Sequence, residues 1–248
     1  MTPGDTPTAC RLPAPGTIHV WRINLQHPAL LALGERLLTD DESARARRFL
    51  YGQHRLRFMA GRSAMRLLLG RCTGSDPAAI RFHYGAHGKP SLPAGSAGPA
   101  VRFNFTNSDR RALLAVAVDR DIGIDLESRA RDINLPGLVR HILNASEAAE
   151  FRALPAAVRH QAILTIWTRK EAWIKALGEG LSRPLKSFSV PVDPGVTEQI
   201  TAMTEAPGKT VEWTFRLLDA HPDDIATLTA RGADWTCRCL DWQPEETA

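Results

Sequence analysis

The sequence predicts an α+β protein made of two similar halves. Three observations carry that reading. Strong helical periodicity appears twice, at Asp40–Leu69 and Ala145–Leu177, and each helical block is followed by short β-like runs. Turn-rich segments separate the blocks. The length of 248 residues, at 44% apolar and 23% charged, fits one large domain or two small ones with a real core. The expected division is a loose tail over 1–16, a first half over 17–118 and a second half over 119–248.

Residues 1–16 are rich in Pro, Thr and Gly and lead into a strand at Ile18–Ile23. Asp40–Leu69 reads as two helices broken near Tyr51-Gly52, with a basic exposed face of Arg45, Arg47, Arg48, Arg55, Arg57, Arg62 and Arg66. Gly85–Pro99 is loop and contains Gly88-Lys89-Pro90. Val101–Phe105 alternates as a strand. Arg111–Val118 and Ile122–Glu127, joined by Asp119-Arg120-Asp121, read as an antiparallel hairpin. Ser146 is the expected cap of the next helix, and Gln161–Leu177 is a helix that stops at Gly178. Phe188–Val192, Val211–Leu217 and Trp235–Leu240 are β-like.

Composition excludes several classes. The longest apolar run, Ala112–Val118, is far short of the roughly 18 residues of a membrane-spanning helix. The N-terminus lacks the pattern of a secretory signal, so the expected address is cytoplasmic, with no membrane partner. Cys10, Cys72, Cys237 and Cys239 show neither disulfide-framework nor zinc spacing, and structural or incidental thiols are expected. The net charge, 31 − 27 = +4, carries no recognised nucleic-acid motif with it, and no nucleic-acid partner is expected. Gly61-Arg-Ser63 is not a nucleophile elbow, and His83 and His87 flank a glycine in a loop rather than a metal-binding helix.

Three features carry chemistry. Asp125 and Glu127, two apart on a strand, project to one face, while Ile124 and Leu126 take the other. Paired carboxylates suit Mg²⁺; on spacing alone, a solvated acidic face accounts for them as well. Trp167, Glu171 and Lys175 recur every four residues along one helical stripe, with Lys170 beside it, which is also the pattern of an ordinary Glu–Lys surface pair. Lys89, between Gly88 and Pro90 on a stiff exposed turn, can meet a phosphate as a point charge, although His83 and Pro90 rule out a P-loop.

Gly88-Lys89-Pro90, Phe103-Asn104-Phe105-Thr106-Asn107-Ser108, Gly123-Ile124-Asp125-Leu126-Glu127 and Trp167-Thr168-x-Lys170-Glu171-Ala172-x-x-Lys175, in this order, resemble the Sfp-type 4′-phosphopantetheinyl transferases. The resemblance covers residues 88–175 best. It implies two pseudo-symmetric α/β halves with the active site in the cleft between them, in a monomer. The implied reaction moves the phosphopantetheine arm of coenzyme A onto a serine of an apo acyl, peptidyl or aryl carrier protein and releases adenosine 3′,5′-bisphosphate. The alternative is a non-catalytic module that binds coenzyme A or a carrier protein.

Residue roles follow from the same resemblance. Asp125, Glu127 and Glu171 would hold Mg²⁺, or Mn²⁺, on the pyrophosphate. Glu171 would take the serine proton, directly or through water on the metal, and Lys175, with Lys170 near it, would steady the phosphate charge. Lys89 and Pro90 would line the adenine end, and Arg57 and Arg48 would reach the 3′-phosphate. One departure stands out: the family motif reads Phe-Asn-x-Ser-His-Ser, whereas this chain has Thr106 and Asn107. Asn107 can donate a neutral hydrogen bond to the nucleotide but carries no charge.

Overall fold

The computed structural model describes residues 11–93 and 100–244. The elements run β1 (Thr17–Asn24), α1 (Pro28–Leu37), α2 (Asp40–Arg47), α3 (Gly52–Thr73), β2 (His83–Tyr84), β3 (Pro90–Ser91), β4 (Val101–Ser108), β5 (Arg111–Val118) and β6 (Ile122–Ser128). They continue as α4 (Leu135–Ile142), α5 (Ala145–Ala153), α6 (Arg159–Leu177), β7 (Glu198–Ala206), β8 (Lys209–Leu218), β9 (Asp224–Arg231) and β10 (Thr236–Trp242). Residues 1–10 of the expected tail and 94–99 of the expected loop lie outside the described residues; Leu12 packs on the first core.

Two four-stranded sheets organise the chain, in orders β10-β1-β5-β4 and β6-β9-β8-β7. One face of the first sheet buries Trp21, Ile23, Phe103, Leu114 and Val116 against Ala64, Leu68 and Leu69 of α3. In the second half, Trp213 and Phe215 of β8 pack with Ile163, Ile166, Trp173 and Ile174 of α6. The sheets then meet through a third cluster, in which Ile18, Val20, Leu113 and Ala115 face Ile122, Ile124, Leu126 and Leu228. β5 is therefore apolar on both faces, which is why Ala112–Val118 reads as a continuous apolar run. Among the described residues no helix is long and apolar enough to cross a membrane.

The topology corrects several expectations. β5 and β6 are not a hairpin: β5 pairs with β1 and β4, whereas β6 pairs with β9. The turn at Asp119, with φ +51°, carries the chain from one sheet to the other. The last strand, β10, joins the first sheet and lies parallel to β1, Thr17 opposite Thr236. The Asp40–Leu69 block does split into α2 and α3, but Arg62 and Arg66 are not on its exposed face. Both are buried against Glu42, at 3.4 and 2.9 Å. Asn144, not Ser146, caps α5 in a capping box with Glu147, and Phe188–Val192 forms no strand. Cys72 is disulfide-bonded, against the expectation of structural or incidental thiols, whereas Cys237 and Cys239 are free.

Candidate active site

The site forms where α6 lies against β6. Gly123 permits the approach: a Cβ there would stand 1.9 Å from Ala172 O and 2.6 Å from Ala176 N, so only glycine fits beneath the helix. The next two residues on that face of the strand are Asp125 and Glu127, and the helix runs back past them from Lys175 to Trp167. Gly178, at φ +73°, ends α6 with its N–H on Ile174 O. Local sequence thus fixes the helix length and the close contact. The contact brings the strand carboxylates to the helical stripe.

Asp125 is 5% exposed. Its Oδ1 accepts from Lys175 Nζ at 2.5 Å and from Thr106 Oγ1 at 3.1 Å, and Lys175 Nζ also lies 3.1 Å from that hydroxyl. Glu127 Oε1 accepts from Trp167 Nε1 at 3.0 Å and from the Arg131 guanidinium. Glu171 Oε1 and Asp125 Oδ2 are buried without a partner. Burial, followed by the charge of Asp125, pushes the carboxyls of both Glu127 and Glu171 above the usual range.

Among the described residues, no three His, Cys, Asp or Glu side chains converge as a ready-made metal centre. Lys175 and Arg131 stand on the two strand acids and balance their charge. The donor set nevertheless suits a hard divalent cation. All three side chains offer oxygen, and two of those oxygens are buried with nothing to accept from.

The nucleotide-end residues are divided between places. Lys89 is not on an exposed turn: its ammonium reaches across to the second half, 2.8 Å from Ala176 O at the end of α6 and 3.4 Å from Ile122 O. Burial lowers its pKa to about 8. Lys89 and Pro90 wall a cleft of ≈ 250 Å³ with Arg102 and Phe103 on one side and Asp121, Ile122 and Gly178 on the other. Thr106 faces the acids, whereas Asn107, its neighbour on β4, is exposed. Arg57 is half-buried and pairs with Asp109 at 3.1 Å, and Arg48 lines an open concavity with Asp41, Arg45 and Phe49.

Lys170 corrects the expectation that it lies near the phosphates. It is fully buried, on Glu147 at 2.8 Å and on the carbonyls of Leu185 and Phe188 at 2.6 and 2.9 Å. One residue before Glu171, it points 100° away around the helix and holds the fold.

A family model described as the 4′-phosphopantetheinyl transferase superfamily matches residues 121–233, and one described as 4′-phosphopantetheinyl transferase, N-terminal, matches 26–120. The 4′-phosphopantetheinyl transferase HetI of Nostoc sp. is 36% identical over 218 residues, covering 87% of this chain and 88% of its own. The chain belongs to the 4′-phosphopantetheinyl transferase superfamily. Within the same superfamily, Bacillus subtilis Sfp is 28% identical over 174 residues, 69% of this chain and 75% of its own. A putative 4′-phosphopantetheinyl transferase of Synechocystis sp., slr0495, is 30% identical over 171 residues, 69% of this chain and 68% of its own.

Sequence reasoning missed part of how this transferase builds its site. β4 and β6 are edge strands of different sheets, and β4 covers β6 with side chains two apart. Asn104 Oδ1 accepts from Ile124 N at 2.8 Å, Thr106 meets Asp125, and Ser108 Oγ accepts from Ser128 N at 3.2 Å. The available signal was the period-two spacing of Asn104, Thr106 and Ser108. Arg131 carried no signal, because nothing in its neighbourhood tells that the chain turns back at Ser128 onto Glu127.

Proposed function

We propose that the cleft seats coenzyme A and a serine of an apo acyl, peptidyl or aryl carrier protein, and transfers the 4′-phosphopantetheine arm to that serine. The serine oxygen forms the new bond to phosphorus, and adenosine 3′,5′-bisphosphate leaves with the old one. The observation that supports this most is the pair of buried, unpartnered carboxylate oxygens, Asp125 Oδ2 and Glu171 Oε1, on the facing strand and helix, with Lys175 on Asp125.

Asp125, Glu127 and Glu171 are the residues that would hold Mg²⁺, or Mn²⁺ in its place, which offsets the negative charge of the pyrophosphate. Glu171 accepts the serine proton. An ammonium has three donors, of which Lys175 commits two, to Asp125 and Thr106. The third is left for a phosphate oxygen. Lys89 and Pro90 shape the adenine end, while Arg57, with Asn107 and Arg48, grips the 3′-phosphate. The proposed form is a monomer, and the proposed setting is the cytoplasm, where coenzyme A and carrier proteins meet.

Intact-mass measurement of several apo-carrier proteins, incubated with the transferase, coenzyme A and Mg²⁺, tests the reading. Addition of the phosphopantetheine mass by the wild type and none by Glu171→Gln is expected; no addition to any carrier would overturn it. Arg57→Ala is expected to raise KM for coenzyme A but not for the analogue without the 3′-phosphate.

A further inference from the structure

Each strand carboxylate of the site already carries a cation from the chain, and the two cations are not alike. Lys175 is 30% exposed and shared between Asp125 and Thr106. Arg131 is 47% exposed and pairs with Glu127, itself 14% exposed. The chain curls to put it there: Arg131 N donates to Ser128 O at 3.1 Å, and Ser128 Oγ accepts from Ala130 N at 3.3 Å. The guanidinium also lies 5.9 Å from the ring centroid of Trp167, whose indole N–H donates to the same Glu127 oxygen.

We propose that Arg131 is a built-in counter-cation of Glu127, which neutralises this carboxylate while no divalent cation is present and gives it up when one binds. The inference rests on the reading of Asp125, Glu127 and Glu171 as metal ligands. A guanidinium and a divalent cation on one carboxylate repel each other, so the ion binds more tightly when the guanidinium withdraws. Arg131 can do so. Half of its side chain is already in water, and the Trp167 face offers a resting place after it lets go. Lys175, shared between two partners, stays with Asp125. The contact therefore sets the chain's affinity for the ion, and ion binding frees the turn at 128–131.

The reciprocal coupling makes the test quantitative. Mn²⁺ binding to the full chain without coenzyme A, read from the free-ion electron paramagnetic resonance signal, is compared for wild type, Arg131→Gln and Arg131→Lys, each checked for an unchanged melting curve. Arg131→Gln is expected to bind about tenfold more tightly, within the range of such couplings, and Arg131→Lys to stay near the wild type. Mg²⁺ is expected to shift the Trp167 indole N–H resonance, assigned by its loss in Trp167→Phe, in the wild type. Wild-type binding with no gain in Arg131→Gln, or an equal gain in Arg131→Lys, overturns the counter-cation and leaves the metal site standing. Absence of Mn²⁺ binding to the wild type overturns both.

Discussion

Lys175 Nζ lies 2.5 Å from Asp125 Oδ1, tying the last turn of α6 to the middle of β6. Lys175→Met leaves a carboxylate that is 5% exposed without its cation. Breaking a buried pair costs about 3–5 kcal/mol, and the partial exposure of Lys175 brings the expected loss to roughly 1–3 kcal/mol. Urea unfolding measures that loss. Transfer to a carrier protein is expected to fall at least about 100-fold, and Lys175→Arg to recover stability more than rate.

Glu171→Gln should separate stability from activity. The carboxyl of Glu171 titrates above its ordinary 4.5 in the folded chain, first through burial and then through Asp125. The folded chain therefore binds more protons than the unfolded one in the window above pH 4.5, and this group costs increasing stability as pH rises through it. Without added metal, the variant should match the wild type near pH 4 and exceed it at neutral pH by about 0.5–2 kcal/mol. Urea midpoints across that range decide; an equal or less stable variant at pH 7.5 would contradict the repulsion.

Lys89 should give the opposite pH slope. Its pKa is lowered to about 8 from 10.5, so the unfolded chain binds more protons between those values and wild-type stability gains with rising pH. Relative to Lys89→Met, the wild type is expected to gain up to about 3 kcal/mol from pH 7.5 to 10.5. The same substitution removes the tie to Ala176 O, and a rise in KM for coenzyme A is expected with it.

Lys170→Met tests the division of labour on α6. Lys170 and Glu147 are 0% and 1% exposed, and removing the ammonium strands the carboxylate. A loss of about 3–5 kcal/mol is expected in denaturant unfolding. At a temperature where the variant stays folded, KM for coenzyme A should remain that of the wild type; a large rise would return Lys170 to the phosphates.

The sequence by itself determined what local periodicity determines. Alternation puts Asp125 and Glu127 on one side of β6, a four-residue step lines up Trp167, Glu171 and Lys175, and Gly178 marks the end of α6. These are relations among contiguous residues, fixed by backbone geometry. Packing decided the rest. Glu42 lies 20 and 24 residues from Arg62 and Arg66, and Glu147 lies 23 from Lys170, yet these partners turn three expected surface or site cations into core groups. Sheet pairing is equally remote: β5 chooses β1 and β4 over adjacent β6, and β10 returns to β1 across more than 200 residues. Such choices depend on which apolar faces close on one another, so Lys89 on the end of α6 was decided only when the two sheets came together.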